Sequence, residues 1–302
     1  MGAGSRGAQV RNVDESVTWW PKPSPIHVFL PSSFGTETGS LLERTVRVGV
    51  LARALAVFRV EKAVIFHEDP KRPDPNARFL KTIIDYMNTA PYLRKELFPI
   101  RPELRYVGVL PPLNVPTHPE SKSIPIGGIE LREGLVMRRG EGYYVEAGLE
   151  KPLKLRSQRR PMSKVYLLIR RKKGGLSFRL LSRTKSPYFL GTSVEIKEGP
   201  LDRLMEGYDL RIGASRIGEL VTEGWSRLES SLRNAKGNVC VVFGSYRRGL
   251  REIAEVQGLR LEQLFDFVMN FIPDQGVRTV RTEEAVYAVL SILNLILSKR
   301  TA

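Results

Sequence analysis

The sequence predicts an α/β fold with a small all-β module inserted in it, and three observations carry that prediction. Short apolar runs rich in β-branched residues alternate with stretches of helical periodicity near both ends of the chain. From about Pro111 that alternation stops, and prolines, paired glycines and short alternating runs take over as far as residue 187. At Tyr188 the strand and helix pattern resumes, which makes the α/β part discontinuous: 25–110 together with 188–302, around an insert at 111–187.

Residues 1–24 are Gly-rich and polar at first, then carry Trp19 and Trp20 among alternating prolines. They read as a mobile arm whose tryptophans either dock on the domain or stack on bases. Ile26–Leu30 is the first core strand, ended by Pro31 and a Ser/Gly/Thr loop. From Ser40 to about Arg59, Leu41, Thr45, Val48, Leu51 and Leu55 recur at helical spacing. Lys62–Phe66 is the next strand, and it exits through His67, Glu68 and Asp69. Adjacent residues point in different directions, so at most one of those two carboxylates suits acid or base work. Helical residues follow over 76–87, are interrupted by Pro91 and resume through Tyr92–Lys95, after which Arg105–Leu110 reads as a strand.

Within the insert, the runs 129–131, 134–137, 143–145, 164–169 and 176–180 describe five short strands with glycine turns, the pattern of a small OB-like barrel. The module is very basic: Arg159, Arg160, Arg170–Lys173 and Arg179 are interleaved with Tyr143, Tyr144, Tyr166 and Phe178. Cations beside aromatics suit single-stranded RNA, pairing phosphate and stacking bases. The same aromatics also suit a barrel core.

Beyond the insert, Tyr208–Gly213 is a strand ending near Arg216, and a helix over Thr222–Leu232 follows. Asn238–Phe243 is a continuous apolar run bounded by Gly244, the mark of a strand buried on both faces. A helix should start at Gly249, and Phe267–Ile272 is a second such strand, closed by Pro273 and the turn Asp274-Gln275-Gly276. Thr282 with Glu283 and Glu284 suits the start of a long apolar helix, 285–297. The loops after Phe243, after Ile272 and before Glu283 would lie together at one edge of a parallel sheet, where open α/β folds bind ligands. Ordinary turns on a buried core fit the same spacing.

Composition narrows the partners. The 302 residues hold 48 Lys and Arg against 32 Asp and Glu, a net charge of +16 spread through folded segments. Such an excess points to a polyanion, and nucleic acid fits it better than a membrane surface. No apolar run approaches the roughly 20 residues of a spanning helix, and no signal-peptide stretch opens the chain; a cytoplasmic protein is expected. Cys240 stands alone inside a strand, and His27, His67 and His118 are scattered, so neither a disulfide nor a metal site is expected.

Three strings then carry a resemblance: Phe243-Gly-Ser-Tyr-Arg-Arg-Gly-Leu250, Asn270-Phe-Ile-Pro-Asp-Gln-Gly276 and Thr279-Val-Arg-Thr-Glu-Glu-Ala285. They resemble the three cofactor-loop motifs of SPOUT methyltransferases, in particular the archaeal and eukaryotic branch with an OB-like insert that is associated with uridine-N3 methylation of large-subunit ribosomal RNA. The likeness extends to Arg44-Thr45, Ala52-Arg-Ala54, Tyr92–Lys95 and Tyr208–Gly213 and so covers most of the chain. It implies a trefoil-knotted α/β fold, S-adenosylmethionine as methyl donor, and a homodimer whose active sites lie at the subunit interface and whose interface includes the final helix. No rule of chain patterning would propose a knot.

On that resemblance, Ile272, Val280 and Ala285 line the adenine slot, while Gly244, Ser245, Gly249 and Gly276 admit close backbone approach. Asn270 orients the ribose or methionine end, and Arg216 and Gln275 stand near the loops. An enzyme methylating N3 must remove the imide proton and stabilise charge spread onto O2 and O4. Arg281, with Arg53 or Arg44 from the partner subunit, answers the second need. Gly49 and Arg53 match the Gly-x-x-x-Arg of ribose-methylating relatives, but Arg47 replaces the Asn those relatives place two residues before the Gly. A surface ion pair is the other reading of Arg53. Glu283 or Glu284 is the proton acceptor nearest in sequence, and both also suit the helix's first turn, whose dipole favours the ionised carboxylate and weakens it as a base. Two other readings stay open: a non-catalytic RNA-binding ribosome-assembly factor, and a SPOUT methyltransferase acting on another RNA position.

Overall fold

A computed structural model describes residue 22 and residues 24–298. Trp19 and Trp20 of the expected arm lie outside the described residues. Two sheets organise the chain. The larger has six parallel strands in the order β11-β9-β10-β1-β2-β8. These are β1 Ile26–Pro31, β2 Lys62–Phe66, β8 Ser193–Lys197, β9 Leu210–Leu220, β10 Val239–Phe243 and β11 Phe267–Asn270. Alternate residues of the central strands feed two cores, as the two-residue period of a strand requires. Val28, Leu30, Ile65, Val241 and Phe243 face one, beneath α1 (Leu41–Val57), α2 (Asn76–Met87), α5 (Trp225–Asn234) and α8 (Thr282–Ser298). Phe29, Val64, Phe66, Cys240 and Val242 face the other, beneath the short helices α4 (Leu201–Leu204), α6 (Leu250–Val256) and α7 (Leu261–Leu264). The result is a mixed α/β fold of three layers.

Several elements differ from the sequence reading. Arg105–Leu110 is no strand: 102–104 and 107–109 are single 3-10 turns. The sheet edge beside β2 is already taken by β8, in the register Lys62↔Ser193 to Phe66↔Lys197. β8 is short and half polar, so it lacks the continuous apolar run that marks a strand in sequence. β9 continues past Gly213 to Leu220 by arching out between its pairings Gly213↔Val268 and Glu219↔Met269. α5 starts at Trp225 instead of Thr222, β11 stops at Asn270, and α8 starts at Thr282, which is therefore inside the helix and does not cap it.

The smaller sheet is antiparallel, in the order β5-β4-β3-β6-β7, with β3 Ile129–Arg139, β4 Gly142–Glu146, β5 Leu153–Lys154, β6 Lys164–Lys172 and β7 Gly175–Leu181. Its outer strands β5 and β7 do not pair among the described residues, so the five strands expected of a small OB-like barrel form an open sheet. Gly134 makes no turn but lies within β3, where a Cβ would come within 2.4 Å of Val145 Cγ1 and 2.7 Å of Leu167 Cδ1. Tyr143 and Phe178 pack against this sheet's own core, which leaves them less free to stack on bases.

A buried polar seam joins the two sheets. Glu133, fully buried, accepts from the Ala90 N–H at 2.7 Å and pairs with Lys164 Nζ at 2.8 Å, and Tyr92 donates to its carbonyl at 2.7 Å. Next to it Arg132, also fully buried, donates to Ser121 O at 2.6 Å and to Glu130 at 2.8 Å. Buried charges are tolerated when paired in this way. Burial pushes His118, in the seam, and His27, bonded to the Tyr208 hydroxyl, down to about 4, and it pushes the Cys240 thiol up to about 12. All three are neutral and structural near pH 7.

The apolar face of α8 turns inward. Val286, Val289, Leu290 and Leu293 are at most 2% exposed and belong to the main core, so they offer no wet surface to a second copy. The exposed apolar stripe lies on α1 instead: Leu42, Val46, Val50 and Val57 are 39–52% exposed on the face opposite Val48, Leu51 and Leu55. Among the described residues no helix is long and apolar enough to cross a membrane.

Candidate active site

The arch of β9 at residues 214–217 and the C-terminal ends of β10 and β11 open onto one cleft of about 340 Å³, bounded by the loop after β10, the loop after β11 and the first turns of α8. Parallel strands ending side by side leave such a crevice. Of the residues singled out from the sequence, Arg216, Gly244, Ser245, Gly249, Asn270, Ile272, Gln275, Val280 and Ala285 all line it. Gly276 does not, and a Cβ there would meet nothing within 4 Å, so no close approach explains that glycine.

The loops are held by their own polar groups. Ser245 N donates to Arg248 O at 2.9 Å, and the Ser245 hydroxyl oxygen accepts from the Arg247 and Arg248 N–H groups at 3.2 and 3.0 Å while donating to the Glu68 carboxylate. Of the carboxylates at the exit of β2, Glu68 is thus the one tied to the cleft. A Cβ on Gly244 would stand 3.1 Å from Arg248 O and 3.2 Å from Gly249 Cα, so any side chain there crowds the turn's own backbone. Asn270 Oδ1 accepts from Ile272 N at 3.0 Å and its Nδ2 donates to Arg216 O at 3.2 Å. Its amide therefore locks the arch of β9 to the loop after β11 and is not left open to a ligand. Arg216 Nη1 in turn donates to Arg278 O at 2.8 Å, closing the third side.

The start of α8 is tied in from two directions. Thr282 Oγ1 donates to Gly244 O at 3.3 Å, and Glu284 Oε2 accepts from Arg281 N at 2.9 Å, doing the capping expected of Thr282. Glu283 differs from its expected role. Its carboxylate, 6% exposed, takes Arg47 Nε at 2.7 Å and Nη2 at 3.0 Å, with both oxygens used. Arg47 also pairs with Glu37. Burial alone would lower the Arg47 pKa, but the bond to Glu283 and the charges of Glu283 and Glu37 outweigh it and hold the guanidinium charged. A carboxylate bound this way is not placed to take a proton from a substrate.

The structure does not bring the candidate arginines into this cleft. Arg53 donates to Pro112 O at 2.6 Å, and Arg44 bonds Asn76 Oδ1 and lies 4.6 Å from the Phe79 ring centroid, both on α1. Arg281 is exposed beside the cleft, without a side-chain partner among the described residues. Residues that sequence reasoning missed include Ile217, Tyr246, Arg247, Arg251, Glu252 and Arg278, all lining the cleft. Tyr246 and Arg247 were within the string already read, and their aromatic and cationic character was the available signal.

Comparison with known proteins bears on what this cleft does. Residues 25–293 match the sequence model of a family described as "Putative RNA methyltransferase". An uncharacterized protein of Haloarcula marismortui is 34% identical over 286 residues, spanning 89% of this chain and 98% of that protein. The mouse protein named 28S rRNA (uridine-N(3))-methyltransferase is 31% identical over 309 residues, spanning 90% of this chain and 76% of that one. Its human counterpart of the same name is 29% identical over 309 residues, spanning 90% and 78%. With a family match that runs from β1 into α8 and takes in every loop of the cleft, this chain belongs to that family of RNA methyltransferases.

Proposed function

We propose that this protein methylates N3 of a uridine in large-subunit ribosomal RNA, with S-adenosylmethionine as donor. The observation that supports it best is the convergence of the three motif loops on one cleft at the C-terminal edge of a parallel sheet. Bound there, the donor supplies an electrophilic methyl group on a sulfonium sulfur. The cleft suits it: Ile272, Val280 and Ala285 form an apolar wall for a purine, and Gly244 and Gly249 put no side chain between the turn and a ligand. Arg216, Ser245 and Gln275 supply polar groups around that wall, with Asn270 acting as the lock that holds it. Arg281, free at the rim, stabilises charge developing on O2 and O4 of the uracil.

The names of the human and mouse relatives support the choice of base and RNA. We read the chain as an arm (1–24), a SPOUT domain (25–110 with 188–302) and an OB-like RNA-binding insert (111–187), whose exposed cations Arg159, Arg160, Arg170, Lys172, Lys173 and Arg179 engage the phosphates. The proposed knot is supported by the chain's return from the edge strand β11 across the ends of β9 and β10 to Thr282, bonded to Gly244 O. An assay with labelled donor and deproteinised large-subunit RNA should give transfer. RNA binding without transfer would instead favour an assembly factor.

The proposal includes a homodimer that uses the α1 stripe in place of the α8 face, since Leu42, Val46 and Val50 recur every four residues and form one apolar ridge. That ridge shares a helix with Arg44 and Arg53, which explains how a second copy would deliver them to a cleft they do not reach within one chain. Light scattering should show a dimer at micromolar concentration and a monomer for Val46→Asp combined with Val50→Asp. A monomeric wild type would contradict it.

A further inference from the structure

The reaction proposed above requires a group that takes the imide proton, and three carboxylates around the sheet edge are committed elsewhere. Glu68 accepts from the Ser245 hydroxyl, Glu283 is bound to Arg47, and Glu284 accepts from the Arg281 N–H. Among the cleft-lining residues only Glu252 and Tyr246 have side chains suited to accepting a proton. Glu252 lies in the first turn of α6 with Oε2 over Gly249, 2.8 Å from where a Cβ would stand. As a class, carboxylates are also poorly matched to the job. A carboxylate is a much weaker base than a phenolate, and taking the proton of a uracil imide is less uphill for the stronger base.

Tyr246 has both the position and the supporting group. It lines the cleft while remaining 43% exposed, so an entering base can reach it from the solvent side. Arg247 Nε donates to its hydroxyl oxygen at 2.7 Å, and the Arg247 guanidinium carbon lies 5.4 Å from the Tyr246 ring centroid. A guanidinium donating to a phenol oxygen stabilises negative charge on that oxygen. The turn that presents the pair is pinned by Ser245, whose hydroxyl oxygen accepts from the N–H groups of both Arg247 and Arg248.

Resting on the reading of this cleft as a uridine-N3 methylation site, we propose that Tyr246 is the catalytic base and Arg247 the residue that stabilises its phenolate. Solvent takes the phenol proton, leaving the phenolate beside Arg247. The N3–H bond then breaks, its proton forms an O–H bond with Tyr246 and its electron pair stays on N3. That pair would form the new N3–C bond with the methyl group the donor supplies, and the pair of the broken S–C bond would leave with the donor as a neutral thioether. Returning the phenol proton to solvent resets the site.

The test compares wild type with Tyr246→Phe on large-subunit RNA transcribed with uridine and on the same RNA transcribed with 5-fluorouridine, whose imide is more acidic and ionises with less help. S-adenosylhomocysteine affinity is measured in parallel by calorimetry. The variant is expected to bind S-adenosylhomocysteine like wild type, to lose about 10²-fold or more in transfer to the uridine RNA, and to come within roughly tenfold of wild type on the fluorinated RNA. An equal defect on both RNAs, no defect on either, or loss of S-adenosylhomocysteine binding overturns the assignment of Tyr246. A wild type that methylates neither RNA refutes the reading of the cleft itself, and the assignment with it.

Discussion

Replacing Arg47 by alanine should destabilise the protein by about 3–5 kcal/mol, a fall of roughly 10 °C in Tm. The guanidinium is 5% exposed and holds Glu283, itself 6% exposed, through two bonds of 2.7 and 3.0 Å, with Glu37 on its third nitrogen. Its removal strands a buried carboxylate at the start of α8. The cost comes from that stranded charge more than from the lost attraction, because desolvation offsets most of what a buried pair gains. It follows that replacing both partners together, Arg47→Met with Glu283→Leu, should recover most of the loss. A single variant as stable as wild type in thermal or denaturant unfolding would show that the pair does not anchor α8.

Gly244→Val should reduce S-adenosylhomocysteine affinity by at least about a hundredfold, whereas Gly276→Ala should change it little. At Gly244 a first side-chain carbon would already stand 3.1 to 3.3 Å from Arg248 O, Gly249 Cα and Leu250 N. Those are backbone atoms of the same turn and cannot swing aside. Valine's methyl groups would force the turn open, and a displacement of about 1 Å at a site of this kind is worth on the order of 10². Gly276 has open space around it and no positive φ. Calorimetry on both variants decides the matter: similar losses, or none at Gly244, would contradict the geometry.

What the sequence made legible follows the range of the forces involved. The loops of the cleft were readable because each is a local string beside a strand buried on both faces, such as β10, where every residue is buried. β8 and the false strand at 105–110 were not. Both are short, and only the tertiary fold decides which of them fills the edge beside β2. The direction of α8's apolar face was equally hidden, since burial against one's own sheet and against a second copy call for the same residues. Glu283 was misjudged for a related reason: its partner Arg47 lies 236 positions away. A hint was present in α1, where Arg47 stands one turn before the core residue Leu51.

Mass spectrometry of large-subunit RNA after reaction with the protein and S-adenosylmethionine, with nucleosides resolved from enzymatic digests, identifies the methylated atom. A single new product, 3-methyluridine, is expected with the wild type. A methyl group on a ribose 2′-oxygen, on a base other than uracil, or on uracil at a position other than N3 would contradict it.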